Sequence, residues 1–256
     1  MKKLPYLIII LLFGLLITGC NGKRSVNEDH SISSDTITVP DTGYTGIKQL
    51  MSQKRLVQEV TFKNGVRDGL TKSFYIDGRL RQTFWYKNGL REDSAKWYYP
   101  EGQLFRSSPY KNDTLDGTQI QYYRNGKIKA RLGYKKGFRT PELTEYTPEG
   151  KIVSGYPGIE VKINDEYKTN GSYRITLQLT DKSEKVKFYR GDFSNGVFDT
   201  IQCRKINTIK GTGILNLKKT GSPTSGSIGI IAQILTGFGN NHLAFKKIDL
   251  PYNDLN

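Results

Sequence analysis

The sequence predicts an all-β protein, in which a single-layer antiparallel meander of short repeats is followed by a β-sandwich. One observation behind this prediction is that glycines recur every 24 residues across much of the first half of the chain. Self-similarity at a period of about 20–50 residues is typical of stacked repeat units. The other observation is that roughly the last hundred residues lose this period. They contain about seven β-type runs separated by Gly, Asn, Asp and Ser.

Two interleaved glycine series carry the repeat period. The first consists of Gly65, Gly89 and Gly137, with Asp113 in the missing place, and the second of Gly78, Gly102, Gly126 and Gly150. Asn-Gly and Asp-Gly provide the positive φ that tight hairpin turns require, so each glycine predicts a reversal of the chain. Asp113, and Pro141 in a further glycine position, depart from the pattern. We therefore expect the third and fourth turns to be less regular.

Alternation along the predicted strands assigns side chains to two faces of the sheet. One face is predicted to be apolar, with members Leu80, Phe84, Tyr86, Ile128, Ala130, Leu132 and Tyr134. The other face is predicted to be basic and solvated, and its candidate residues for binding an anionic partner are Arg79, Arg81, Lys127, Lys129 and Arg131. The chain has a net charge of +15. This excess favours anionic partners, although lysines also keep exposed sheets soluble and protect their edges.

The N-terminus has the pattern of a secretory signal. Met1-Lys2-Lys3 is cationic, the segment from Leu4 to Leu16 is almost entirely apolar, and small residues follow before Cys20. An uncleaved N-terminal anchor is the alternative interpretation. Residues 21–46 are polar and predict a flexible tether. The predicted domains are residues 1–19 for the signal peptide, 20–46 for the tether, 47–153 for the repeat sheet and 154–256 for the sandwich.

The C-terminal region predicts seven strands. They are Ile159–Ile163, Tyr173–Leu179, Lys185–Phe193, Thr200–Ile206, Gly213–Leu217, Ser227–Thr236 and His242–Leu250. This number of short strands, with turn residues between them, favours a sandwich of immunoglobulin-like topology. The Cys…Trp…Cys framework of antibody domains does not occur in the sequence, so the prediction rests on strand number.

The four residues Ile17-Thr18-Gly19-Cys20 resemble the lipobox of bacterial lipoproteins. The resemblance implies cleavage before Cys20, a diacylglyceryl group on its sulfur and a third acyl chain on its new amino group. Two or more acyl chains anchor a protein stably to a membrane, whereas one chain binds only marginally. Asn21 is not the aspartate that retains some lipoproteins in the inner membrane. The resemblance therefore favours a lipid anchor in the outer membrane of the bacterial envelope over one in the inner membrane.

The repeat units resemble the MORN repeat variant, which occurs in bacterial lipoproteins and in antitoxin-like proteins. The resemblance rests on Tyr-Lys-Asn-Gly, as at Tyr86–Gly89, and on Tyr-Tyr-x-Asn-Gly-x-Leu/Ile, as at Tyr122–Ile128. It implies a repeat sheet and says little about activity. An antitoxin role does not carry over, because an exported lipoprotein cannot neutralise a toxin in the cytosol.

Residues that could carry out chemistry are sparse. The two histidines, His30 and His242, fall in the predicted tether and in a predicted turn, where surface positions are expected. Cys203 is expected to be a small buried hydrophobe, and acidic pairs such as Glu92-Asp93 suit turn positions. No run has the spacing of a phosphate loop, a nucleophile elbow or a zinc site. We therefore expect no enzymatic activity, no cofactor and no metal.

These patterns predict a non-enzymatic, lipid-anchored envelope protein that binds a protein partner or acts as a scaffold through its repeats. An alternative is that the basic and aromatic face binds anionic lipid headgroups or acidic glycans. A second alternative is a hydrolase that uses acidic residues of the C-terminal domain. Basic surfaces with aromatic rings also suit single-stranded nucleic acid, but an exported protein is not expected to meet it. The expected partners are therefore a membrane, reached through the lipid anchor, and an envelope protein.

Overall fold

The structure, a computed structural model, describes residues 42–256. Within this range the regular structure consists of eighteen β-strands, one single-turn α-helix and one 3-10 turn. The predicted all-β fold is confirmed. The predicted signal peptide, the predicted lipidation residue Cys20 and most of the predicted tether lie outside the described residues.

Ten strands form one antiparallel sheet, which we call the repeat sheet. They are β1 (Gly46–Ser52), β2 (Arg55–Lys63), β3 (Val66–Phe74), β4 (Leu80–Lys87), β5 (Leu90–Tyr98), β6 (Leu104–Lys111), β7 (Thr114–Leu115), β8 (Gly117–Tyr122), β9 (Ile128–Lys135) and β10 (Phe138–Glu145). The strands pair in the order β1-β2-β3-β4-β5-β6-β8-β9-β10, with the short β7 beside β6. Neighbours in the sheet are thus neighbours in the chain, as a meander requires.

Two-residue turns connect alternate strands, and both central residues of these turns have positive φ. Asn64 and Gly65 have φ of 50° and 78°, as in the type I′ turn that matches the twist of the flanking strands. In the third of these turns Asn112 and Asp113 have φ of 47° and 63°. The Asp113 carboxylate also accepts hydrogen bonds from the backbone N–H and the Nε of Arg91, at 2.8 and 2.9 Å. The expectation of an irregular third turn is wrong, because aspartate tolerates the left-handed region and Arg91 holds it there.

The fourth turn is also regular, since Lys136 and Gly137 have φ of 49° and 83°. Pro141 departs from a different column, in which Gly69 and Gly117 have φ of 107° and 114°. The pairing of β2 with β3 shifts register near Gly69, and the pairing of β9 with β10 shifts register around Pro141. The sheet therefore continues through both departures from the sequence pattern.

A ladder of tyrosine hydroxyls links successive units of the repeat sheet. The hydroxyl of Tyr75 donates to the carbonyl oxygen of Tyr98 at 2.7 Å. Tyr99 and Tyr123 make the same bond to carbonyl oxygens 23 residues further on, at 2.9 and 2.7 Å. Each bond ties one unit to the next, and each contributes about 1 kcal/mol in the net balance with water.

Carboxylates form a second ladder at the type I′ turns. The carboxylate of Asp68 accepts a hydrogen bond from the backbone N–H of Asn88 at 3.0 Å. Glu92 and Asp116 accept the corresponding bonds from the next two turns, at 3.1 and 3.3 Å. Asp68 and Glu92 thus lie in strands and not in turns, and these acidic side chains cap the turn of the neighbouring unit.

The remaining strands form two four-stranded antiparallel sheets. Their elements are β11 (Ile159–Glu166), α1 (Tyr167–Asn170), β12 (Ser172–Leu179), β13 (Val186–Arg190), a 3-10 turn (Ser194–Gly196), β14 (Arg204–Lys205), β15 (Thr208–Ile209), β16 (Thr212–Lys218), β17 (Ser227–Leu235) and β18 (Asn241–Asp249). One sheet has the order β11-β12-β16-β15 and the other β14-β13-β17-β18. With the strands lettered in sequence as A, B, C, C′, D, E, F and G, these orders are A-B-E-D and C′-C-F-G, the arrangement of immunoglobulin-like sandwiches.

Apolar side chains of the two sheets meet in one core. Ile175 and Leu177 of β12 and Leu217 of β16 pack with Phe188 of β13 and Ile230 of β17, and each is at most 1% exposed. Burying one such side chain contributes roughly 1.5–3 kcal/mol. The sandwich therefore holds the main core of the described chain, while the repeat sheet relies on cross-strand contacts.

One predicted strand of the sandwich is much shorter than expected. The run Thr200–Ile206 is extended only at β14, because the backbone N–H of Cys203 donates to the carbonyl oxygen of Asp199 and closes a turn. The side chain of Ile201 is 89% exposed. The β-type composition of this run was misleading in part, because Ile201 faces solvent while Ile206, at the end of the run, packs in the core.

Candidate interaction surface

The register of the repeat sheet traces rows of side chains across it, since directly paired residues of neighbouring strands lie on the same face. One row, which we call the arginine–tryptophan row, consists of Leu50, Gln58, Ser73, Gln82, Trp97, Arg106, Gln121, Ala130 and Glu145. It lies on the face that was predicted to be apolar. That prediction is wrong in part, because β4 places Gln82 there and other strands place glutamine, serine and arginine there.

The opposite face carries a second row, which we call the lysine row. It consists of Gln49, Glu59, Lys72, Thr83, Lys96, Ser107, Ile120, Arg131 and Thr144. Lys72 lies 3.3 Å from Glu59. Lys96 is exposed, and within residues 42–256 neither it nor Arg131 forms an ion pair. This face therefore presents uncompensated positive charge.

Two of the five basic residues predicted to share that face lie in turns. Arg79 precedes β4 and donates from Nε and Nη2 to one carboxylate oxygen of Asp77, at 3.0 and 2.6 Å. This bond lowers the pKa of Asp77. Lys127 precedes β9, and its Nζ donates to the carbonyl oxygen of Glu149 at 3.0 Å. Both cations are thus engaged by neighbouring turn residues.

Of the other three, Arg131 lies in the lysine row, while Arg81 and Lys129 lie at β-bulges. The pairing of β3 with β4 advances by one residue on β3 and two on β4 at Arg81. The pairing of β8 with β9 does the same at Lys129. A bulge interrupts the alternation of side chains, so the prediction that all five residues share one face is wrong.

Trp97 and Arg106 form the centre of the arginine–tryptophan row. The guanidinium carbon of Arg106 lies 4.1 Å from the centroid of the Trp97 ring, within the range of a cation–π interaction. The Nε atom of Arg106 is buried and has no hydrogen-bond partner. Gln82 and Gln121 flank the pair on the neighbouring strands, and the side-chain amide of Gln121 donates to Asn240 at 3.0 Å.

Aromatic rings surround this centre. The ring of Phe84 packs against Trp97 edge to face, with centroids 5.4 Å apart. Phe84 also lies near Tyr86 and Tyr110, at 6.4 and 6.5 Å between centroids. Trp, Tyr and Arg are the residue types that carry most of the binding energy at protein interfaces. The patch is therefore rich in the residue types that are typical of interface hot spots.

The arginine–tryptophan row ends at Glu145, a fully buried carboxylate where the repeat sheet meets the sandwich. One of its oxygens accepts hydrogen bonds from Thr236 and Asn240, at 2.8 and 2.7 Å, and the other accepts from the hydroxyl of Tyr156 at 2.8 Å. Burial, and then this bond, raise the pKa of Tyr156 well above its ordinary value. The sequence analysis missed Glu145, because an acid beside a turn normally faces solvent.

His242 is half-buried beside this junction, which corrects the prediction of an exposed position in a turn. Its ring stacks on Tyr156 with centroids 4.3 Å apart and 15° between the planes. Its Nδ1 is buried without a partner, and burial lowers the pKa of the imidazole. The turn residues Gly239, Asn240 and Asn241 suggested exposure. The docking of β18 against β10 instead covers the ring.

Cys203 is buried, as predicted. It is 5% exposed and packs with Tyr189 and Ile231 in a small cluster, and burial raises the pKa of its thiol. Its other side borders a cleft that Arg190 and Asp192 also line. The raised pKa keeps the thiol protonated at neutral pH, which makes it a poor nucleophile.

Comparison with known proteins bears on the repeat units. Residues 94–112 and 115–136 match the MORN repeat variant family. The MORN-type character of the repeats is therefore confirmed for the segment from β5 to β9. No curated protein matches the chain.

No helix within residues 42–256 has the length and apolar character needed to cross a membrane. The same residues contain no group of three or more His, Cys, Asp or Glu side chains placed to hold a metal ion.

Proposed function

We propose that this protein is a non-enzymatic binding or scaffold protein of the bacterial envelope, anchored to a membrane by lipid at Cys20. The observation that carries the proposal is that different residues of the repeat sheet hold its backbone and form its exposed faces. Its tyrosine and carboxylate ladders fix the backbone, while two rows of side chains are presented on its faces. MORN-type repeats commonly form binding modules for proteins or membranes, which fits a sheet organised in this way.

Four acidic side chains of the repeat sheet support a non-enzymatic role. Asp68, Glu92 and Asp116 are engaged as turn caps. Glu145, the one fully buried carboxylate in the described range, accepts three hydrogen bonds from the junction. A general acid or base needs a carboxyl group within reach of a substrate proton. These carboxylates are committed to structural bonds.

The lipid anchor is proposed from the residues Ile17–Cys20 and the apolar run that precedes them. Fractionation of cells that express the full chain or its Cys20→Ala variant tests this step, combined with in-cell crosslinking and mass spectrometry. We expect the wild-type chain in the membrane fraction, crosslinked reproducibly to an envelope protein. The variant should leave the membrane fraction and lose that partner. A wild-type chain found outside the membrane fraction would remove the anchor, and a wild-type chain without a protein partner would remove the binding role.

The lysine row favours a second candidate function, the binding of anionic lipid headgroups or acidic glycans. Lys96 and Arg131 lack ion-pair partners in the described range, and Trp85, two residues from Thr83 on the same face, is 46% exposed. Binding to vesicles with anionic headgroups should then weaken in Lys96→Glu and Arg131→Glu and at raised salt. Unchanged vesicle and glycan binding in both tests would exclude this candidate.

A further inference from the structure

Several arginines of the repeat sheet stack on aromatic rings, and two of them, Arg91 and Arg106, differ in one respect. The guanidinium of Arg91 lies 4.5 Å from the centroid of Tyr110, and its Nε donates to the carboxylate of Asp113 at 2.9 Å. Arg106 stacks on Trp97 at 4.1 Å, yet its buried Nε has no acceptor. Within residues 42–256 no carboxylate lies within ion-pair distance of Arg106. The acid that completes the first arrangement is missing from the second.

A buried donor without a partner is destabilising, more so when the group is charged, so its presence requires an explanation. The guanidinium plane is fixed by Trp97, which leaves its hydrogen-bonding edge in a defined direction. A planar donor of this kind matches a carboxylate, which it can bind through two parallel hydrogen bonds. The Nε itself is enclosed, but the side chain as a whole is half-buried. The missing partner is therefore best supplied by a carboxylate from another molecule that binds the terminal amino groups of the guanidinium.

We propose that Trp97 and Arg106 form the docking site for an acidic segment of a partner protein. This inference rests on the proposed binding function and names the surface and the chemistry of the partner. Charge favours an acidic segment, because the positive charge of Arg106 is not compensated within the row. The only carboxylate of the row, Glu145, accepts three hydrogen bonds at the junction instead.

The surroundings favour a protein over a glycan as the source of the carboxylate. Arg106 covers one face of the Trp97 ring and Phe84 packs against it edge to face, so the aromatic surface on which a sugar would stack is already in use. Gln82 and Gln121 flank the pair. Each amide nitrogen donates one hydrogen bond inside the protein, while the side-chain oxygens can accept from the N–H groups of a peptide backbone. The patch is also rich in the aromatic residues found at interface hot spots.

Adjacent residues of β4 allow a matched test in cells. A photo-reactive amino acid replaces Gln82 in one full-length variant and Thr83 in another, so the same strand carries the probe on the arginine–tryptophan face or on the lysine face. Each is combined with Arg106→Gln or with Arg131→Gln, which removes one positive charge from the opposite face. Mass spectrometry identifies the crosslinked peptide. Circular dichroism and tryptophan fluorescence of the purified variants check their fold.

We expect the probe at position 82 to capture a protein through an Asp- or Glu-rich peptide. The yield should fall about tenfold or more with Arg106→Gln, as expected when a charged hydrogen bond is lost, and should stay within about twofold with Arg131→Gln. Arg106→Lys keeps the charge but loses the planar fork, and should give an intermediate yield. This variant also serves if Arg106→Gln does not fold.

Four other outcomes would overturn the proposal. They are capture at position 82 that is insensitive to Arg106→Gln, capture through a peptide without acidic residues, equal losses with Arg106→Gln and Arg131→Gln, and capture only at position 83. In each of these cases the proposed binding function survives, because a partner has been found. Failure of capture at both positions, together with no partner for the wild-type chain in the crosslinking experiment above, would contradict both the docking site and the proposed binding function.

Discussion

At the scale of single residues, the junction between the repeat sheet and the sandwich holds the groups that the sequence hid. Glu145 and His242 are nearly a hundred residues apart in the chain, and their burial depends on β10 meeting β18. Neither residue has a local pattern that distinguishes it from a surface acid or a turn histidine. Cys203, by contrast, was correctly predicted to be buried, because small apolar thiols are commonly buried whatever their neighbours.

The buried histidine predicts a pH dependence of stability. Burial lowers the pKa of His242 in the folded protein below the ordinary value of 6.5, the nearby Arg139 guanidinium lowers it further, and the Glu145 carboxylate partly opposes both. The unfolded chain therefore binds a proton at a higher pH than the folded chain does, so stability should fall as the pH drops below about 6.5. The contribution is at most about 1.4 kcal/mol per pH unit.

Urea unfolding of the wild type and His242→Phe at pH 7.5 and 5.5 measures this contribution. Phenylalanine keeps a ring to stack on Tyr156 but cannot be protonated, so the variant should lose less stability between the two pH values than the wild type does. Equal losses in the two proteins would show that the imidazole has the same pKa in the folded and unfolded chains.

At the scale of elements, the sequence predicted where the chain turns better than which way the side chains point. Asn-Gly pairs specify type I′ turns through local backbone preference alone, and the turns occur at those positions. The prediction of which face each side chain occupies failed at Arg81 and Lys129. A one-residue bulge recurs at the start of β4 and β9 and interrupts the alternation of side chains between the two faces. A bulge depends on the pairing of two strands, and a single strand's sequence contains no reliable sign of it.

The tyrosine ladder predicts unequal roles for two adjacent tyrosines. Tyr99 donates its hydroxyl hydrogen bond to the next unit, while the hydroxyl of Tyr98 makes no hydrogen bond within the described residues. Tyr99→Phe should therefore lower the free energy of unfolding by about 1 kcal/mol. Tyr98→Phe is the matched control and should stay within about 0.5 kcal/mol of the wild type. Urea unfolding followed by tryptophan fluorescence measures both, and equal effects would contradict the ladder as a source of stability.

At the scale of the whole molecule, the junction predicts that the repeat sheet and the sandwich unfold together. Both tryptophans, Trp85 and Trp97, lie in the repeat sheet, so their fluorescence reports on that sheet alone. The accessibility of Cys203 to a thiol reagent reports on the sandwich when Cys20 is replaced by alanine. In that background the two probes should give the same unfolding midpoint.

Removing the buried carboxylate should separate the two transitions. Glu145→Ala leaves the donors of Tyr156, Thr236 and Asn240 without an acceptor, and we expect a loss of about 3 kcal/mol together with distinct midpoints for fluorescence and thiol accessibility. Glu142→Ala, which removes an exposed carboxylate from the same strand, is the control and should leave the midpoints coincident. Coincident midpoints in Glu145→Ala would show that other contacts couple the two parts.

Successive units are joined by the same kinds of contact, and this has a consequence for the dimensions of the protein. Each period of 24 residues contributes two strands, and neighbouring strands lie about 4.8 Å apart. Duplication or deletion of one period would change the width of the sheet by about 9.6 Å, while the new neighbours would meet through the same tyrosine and carboxylate bonds. The number of periods thus sets the distance between β1 and the sandwich. Each added or removed period changes that distance without requiring new kinds of contact at either end of the sheet.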